Sequence, residues 1–154
     1  MKVALLLLLA MPAGREAIGV YNGWGAFRDA TPARCYAIAK PLAGRSNSGG
    51  FASVATWPGK GLRASLHIRL SRARDRSASV TLTVGERRFT LVANTRDAFA
   101  PDAATDRALV AAIRSGRSMS VEAVAEGGRP FADVYALPGA ATAIDAATLA
   151  CAGR

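Results

Sequence analysis

The sequence predicts a mainly β protein: an antiparallel β-sandwich or partly open barrel of about eight strands, with one helix before the last hairpin and a short C-terminal helix. Three observations predict it. Leu62, Ala64, Leu66, Ile68 and Leu70 alternate with Arg63, Ser65, His67, Arg69 and Ser71, so one face of a strand meets a core and the other meets water. The dipeptides Gly85-Glu86 and Gly127-Gly128 separate further alternating runs, as hairpin turns do. One long segment, bounded by Asp102 and Gly116, carries helix punctuation at both ends. Half-buried alternation of this kind belongs to antiparallel sheets.

At 154 residues the chain is long enough for a single domain with a real core. Lys2 followed by the nine apolar residues Val3 to Met11 and then Pro12 has the layout of a secretory signal. That run is too short to cross a bilayer as a helix, which takes about 20 residues. Met11-Pro12-Ala13 and Arg15-Glu16-Ala17 both approximate a small-x-small cleavage site. The expected organisation is a signal over 1–17 and one β-rich domain over 18–154.

Tyr21 to Arg28 reads as the first strand, turned at Asp29 to Pro32 into Arg34 to Lys40. Trp24 and Phe27 are expected core residues. Leu42 to Gly50 is rich in glycine and serine and reads as a loop, and Phe51 to Trp57 is a third strand ended by Pro58-Gly59. The strand Leu62 to Leu70 follows, then Ser79 to Val84 and Arg87 to Val92 around Gly85-Glu86, with Phe89 and Leu91 inward. Asn94 to Pro101 reads as an irregular connection.

Asp102 is placed to cap the helix, Asp106 lies in its first turn, Leu109, Val110 and Ile113 form its apolar stripe, and Gly116 ends it. Met119, Val121, Ala123 and Ala125 then alternate with polar residues, and Gly127-Gly128 returns the chain through Phe131 to Leu137. After Pro138-Gly139, Ala140 to Ala150 forms the short helix, with Ile144, Ala147, Thr148 and Cys151 on one face.

Export changes how the two cysteines are read, because an oxidising compartment pairs thiols that a cytosol keeps free. Cys35 and Cys151 are therefore expected to form a structural disulfide joining the start of the domain to its end. The chain has 17 arginines, 3 lysines and 34 alanines, a composition that a GC-rich genome produces without selection for charge. A formal charge of +9 still favours anionic partners over cationic ones. Arg63, Arg69, Arg72, Arg74 and Arg76 are the densest basic stretch. They are the candidate site for a polyanion such as lipopolysaccharide, a heparin-like polymer or nucleic acid, with no sequence-specific nucleic-acid reading expected.

No catalytic motif stands out. The one histidine, His67, lies on the polar face of its strand between Arg63 and Arg69 and reads as a surface residue, since neighbouring cations repel a metal. A zinc site lacks the ligands, and G-x-S-x-G is absent. Asp97, Asp133, Glu122 and Glu126 are the carboxylates from which an acid-base pair could be drawn, whereas capping explains Asp102 and Asp106. The expectation is a non-enzyme without metal or cofactor.

Several segments in order resemble the invasion-associated locus B family: Trp24 to Asp29, Arg34 to Ala39, Ala98 to Asp102 running into Ala108 to Ile113, Asp133 to Gly139, and the terminal Cys151. The resemblance implies a β-rich protein of the periplasm or associated with the outer membrane, which binds an envelope or host-surface partner or supports surface integrity. Cys35 and Cys151 match recurring cysteine positions of that family, and no catalytic residues are implied.

Overall fold

The computed structural model describes residues 14–42 and 49–152. Most of the expected signal and of the Gly/Ser-rich connection lies outside the described residues. Ten strands and two α-helices follow in the order β1 (Arg15–Tyr21), β2 (Trp24–Asp29), β3 (Arg34–Ala39), β4 (Phe51–Trp57), β5 (Leu62–Arg69), β6 (Val80–Val84), β7 (Arg87–Ala93), β8 (Asp97–Phe99), α1 (Ala103–Ser115), β9 (Ser118–Val124), β10 (Pro130–Ala136) and α2 (Ala140–Cys151). A 3-10 turn at Pro58–Lys60 joins β4 to β5.

All ten strands form one antiparallel sheet in the order β1-β2-β3-β4-β5-β8-β7-β6-β9-β10. Two strands exceed the eight read from sequence. Asn22-Gly23 is a turn, with Asn22 at φ 53°, so Tyr21 ends β1 and Trp24 begins β2 instead of both lying in one strand. The supposedly irregular stretch after Asn94 holds β8, which pairs with β5 and β7.

The sheet curls until its last strand approaches the loops of its first half. Val134 O accepts from Leu42 N at 2.7 Å, Trp24 Nε1 donates to Ala136 O at 2.9 Å, and the Asp133 carboxylate accepts from Ser71 N and Oγ. Inside lie Trp24, Leu66, Ile68, Leu82, Met119, Val121 and Tyr135, all essentially inaccessible to solvent.

Helix α1 begins as its sequence dictates. Asp102 accepts from Thr105 N at 2.7 Å, satisfying a free helix amide, and Leu109, Val110, Ala112 and Ile113 are buried. Asp106 is no cap: its Oδ1 accepts from Leu66 N at 2.9 Å and ties α1 to β5. Arg114 pairs with Asp145 at 2.7 Å, linking the two helices.

Helix α2 lays Ala140, Ala143, Ile144 and Ala147 on the inner face of β2 and β3, where small side chains allow close approach. Cys151 in its last turn is bonded to Cys35 of β3, with Cα atoms 5.9 Å apart. The alternation in β5 holds from Leu66 to Leu70. It fails at Leu62, which is 46% exposed, because a register shift opposite Ala55/Trp57 and a positive φ at Ala64 interrupt the period.

Candidate functional site

Cys35 faces α2, so its neighbours Arg34 and Tyr36 face away from the helix. The register carries this outward face across the sheet. Arg15 of β1 stands opposite Asp29 of β2, Asp29 opposite Arg34 of β3, and Cys35 opposite Thr56, which brings Arg34 beside Trp57 at the end of β4. One step along lie Phe27 and Tyr36, stacked with ring centroids 5.7 Å apart. Five of the ten aromatic residues, Phe27, Tyr36, Phe51, Trp57 and Phe99, stand on this outward face, Tyr36 nearly covered by its neighbours; Phe27, expected in the core with Trp24, alternates to the other side of β2 from it.

At the end of the face formed by β1, β4 and the start of β5, cations sit on the rings. The Arg34 guanidinium lies 4.5 Å from the Tyr36 centroid and 5.2 Å from that of Trp57, and Lys60 Nζ lies 4.6 Å from the Trp57 centroid. Asp29, buried on this face, accepts from Arg15 Nε and Arg34 Nε, each at 2.8 Å. The Arg15 hydrogen bond outweighs burial and, with Arg34, holds the Asp29 carboxyl below its ordinary range. Burial, reinforced by the Asp29 charge, pushes the Tyr36 hydroxyl up, so Tyr36 stays neutral beside the two arginines.

The opposite end of the face holds the histidine. His67 Nε2 lies 2.9 Å from Asp97 Oδ1, and its ring stacks on Phe99 at 4.8 Å and meets the edge of Phe51 at 5.1 Å. His67 thus lies on the outward face, as its polar-face position predicts, but half-buried and held on three sides. Arg69 donates to both Asp97 oxygens. Burial raises the Asp97 carboxyl, but the donors His67 and Arg69 overcome it and leave it lowered. Asp97 is therefore an anchored anion and not a poised base.

The five arginines read as one patch do not converge. Arg74 is buried, donating to the carbonyls of Asn94, Asp75, Ala78 and Ala93. Arg69 is committed to Asp97, and the Arg72 guanidinium sits 6.0 Å from the Phe131 centroid. Arg76 is exposed in the loop beyond β5, while Arg63 is exposed at the start of that strand, about 20 Å from Arg69 at the rise of an extended chain. The carboxylates are dispersed too. Asp133 is buried against Ser71, Glu126 is exposed, and Glu122 faces a shallow open groove of about 520 Å³ beside Thr81 and Ala132.

Sequence reasoning passed over Arg15, Arg34, Tyr36, Trp57 and Lys60. Their signal was present as Arg34-x-Tyr36 and Trp57-x-x-Lys60, basic and aromatic residues interleaved at a strand start and a strand end.

The architecture is that of a disulfide-stapled antiparallel sheet with two helices on its inner face and a group of aromatic and charged side chains on its outward face. Within that class, the profile of the Invasion associated locus B (IalB) protein family matches residues 26–148, and the chain belongs to this family. A solved structure with the same fold is the invasion associated protein B of Bartonella henselae. It is 16% identical, aligns over 82% of this chain and 92% of that one, and has a TM-score of 0.59. No curated protein matches the chain significantly.

Proposed function

We propose that this IalB-family chain is an exported protein of the cell envelope, periplasmic or associated with the outer membrane, and that it works by binding rather than by catalysis. The observation that carries the reading is the buried Cys35–Cys151 bond, which joins residues 116 apart in sequence and is a bond that an oxidising compartment sustains. The apolar Val3 to Met11 run behind Lys2 supports export. The non-catalytic half of the reading is supported by Asp97 and Asp133, whose carboxylates are taken up by partners.

The position of β1 favours one of the two cleavage sites. A cut after Ala17 removes Arg15 and Glu16, and with them the Arg15–Asp29 and Arg28–Glu16 ion pairs. A cut after Ala13 leaves β1 whole, including the Gly14 carbonyl that accepts from Ala30 N at 2.7 Å. The test is the intact mass of the protein recovered from its host envelope, with thiols alkylated before and after reduction. The expected result is a chain beginning near Gly14 whose two thiols react only after reduction. A full-length cytosolic chain with both thiols free would overturn the reading.

A further inference from the structure

We propose that the cationic end of the outward sheet face, built from Arg15, Arg34, Trp57, Lys60 and Leu62, docks the protein on an anionic lipid surface. The inference rests on the envelope reading above and says which surface meets the membrane.

Three cations, Arg15, Arg34 and Lys60, stand at this end against one carboxylate of the sheet face, Asp29, an excess of two positive charges; Arg28 and Glu16 nearby cancel each other. The manner of holding the cations matters as much as their number. A carboxylate partner positions a cation by neutralising it. An aromatic face positions it and leaves its charge and in-plane N–H donors to an incoming anion. Lys60 is held by Trp57 alone, with no carboxylate paired to it among the described residues, and Arg34 spans Tyr36 and Trp57 with only its Nε on Asp29.

Charge alone would suit any polyanion, and two further features select a lipid surface. Leu62, an apolar side chain turned outward by the interruption in β5, stands opposite Trp57 at a hairpin end, beside the exposed Lys60 that rests on that ring. Together with half-buried Trp57 this is the mixture of apolar, indole and cationic groups that a headgroup region accommodates. Base stacking with a nucleic acid would need bare ring faces, whereas these rings carry cations. The described chain also enters the fold here, since Arg15 at the start of β1 stands opposite Asp29 at this same end.

The test is co-sedimentation of the envelope-recovered protein with phosphatidylcholine vesicles, with and without about a third phosphatidylglycerol, and binding to immobilised heparin as a lipid-free polyanion. Lys60→Glu combined with Leu62→Ser changes only exposed side chains. Arg76→Glu, in the loop that follows the far end of β5, controls for net charge. The expected result is binding to the anionic vesicles only, weakened about tenfold or more by the double substitution, unchanged by Arg76→Glu, and lost near 1 M salt, where the screening length falls to about 3 Å. Equal binding to neutral vesicles, an equal loss with Arg76→Glu, no loss with the double substitution, or heparin retention with the same dependence on Lys60 and Leu62 would each overturn it. None of these outcomes touches the mass and thiol result that tests export itself.

Discussion

Reducing the Cys35–Cys151 bond is the perturbation whose magnitude follows most directly from the fold. The cross-link closes a loop of 116 residues. In the chain-entropy treatment it removes about 16 cal/mol/K from the unfolded ensemble, or about 4.8 kcal/mol near 25 °C. A domain of this size has a net stability of about 5–15 kcal/mol, so the bond accounts for a third of it or more. With a urea dependence of about 2 kcal/mol/M, reduction lowers the unfolding midpoint by about 2 M. Tryptophan fluorescence reads the transition, since Trp24 is fully buried. The reduced protein stays folded without denaturant, because the seating of α2 on β2 and β3 by Ala143, Ile144 and Ala147 does not depend on the sulfurs. A paired Cys35→Ala, Cys151→Ala variant separates covalent closure from sulfur packing, and both samples should lose stability. A midpoint shift below about 0.5 M, equivalent to about 1 kcal/mol, would refute the argument, because the unfolded chain would then have gained almost no freedom.

Gly139→Ala should cost about 3 kcal/mol or more in urea unfolding, because Gly139 has φ +91° and an added Cβ would stand 2.0 Å from the Tyr21 carbonyl oxygen; a loss under about 1 kcal/mol would contradict the close approach of α2 to the β1–β2 turn. Replacing Arg74 with Met strands the four carbonyls it serves and should cost about 3 kcal/mol or more, whereas Arg76→Ala stays within about 0.5 kcal/mol. Equal effects of the two would mean that Arg74 is not the interior tie it is taken for. The lowered carboxyls of Asp29 and Asp97 set the acid limb. Each contributes stability that is fully present above the unfolded value of about 3.9 and is lost as pH falls through the lower folded value. Urea midpoints should therefore be level near neutrality and fall below about pH 4, less steeply in Asp29→Asn, and a midpoint that rises on acidification would exclude this assignment.

Features that depend on local pattern were legible. The helix α1 followed from its cap, stripe and terminal glycine, and the β9–β10 hairpin from Met119, Val121, Ala123 and Ala125, which are all buried. The disulfide was legible from an argument about compartment. What escaped depends on exceptions to periodicity. Asn22 takes a positive φ and turns a run that otherwise reads as one strand, and the three residues of β8 are too few to show a period. Leu62 counted as core because the positive φ of Ala64 leaves no mark in the alternation. The candidate surface escaped for a different reason. Arg15, Asp29, Arg34 and Trp57 come from four strands and meet only through register, and the dense Arg69 to Arg76 stretch drew attention by local density that the fold disperses.

The charge of the molecule is arranged by the same logic. All seven aspartates accept a hydrogen bond that fixes one piece of chain: Asp29 from Arg15 and Arg34, Asp75 from Ser77, Asp97 from His67 and Arg69, Asp102 from Thr105, Asp106 from Leu66, Asp133 from Ser71, and Asp145 from Arg114. A short carboxylate side chain suits this work, since it reaches nearby backbone and guanidinium donors with little rotamer freedom to lose. At Asp29, Asp97 and Asp145 the donor is a guanidinium, so each pair cancels a cation along with the acid and leaves the formal +9 unchanged. The positive charge that remains open is the part no carboxylate faces, as at Lys60 on Trp57, which is where an anionic surface would find the least competition for the cation it meets.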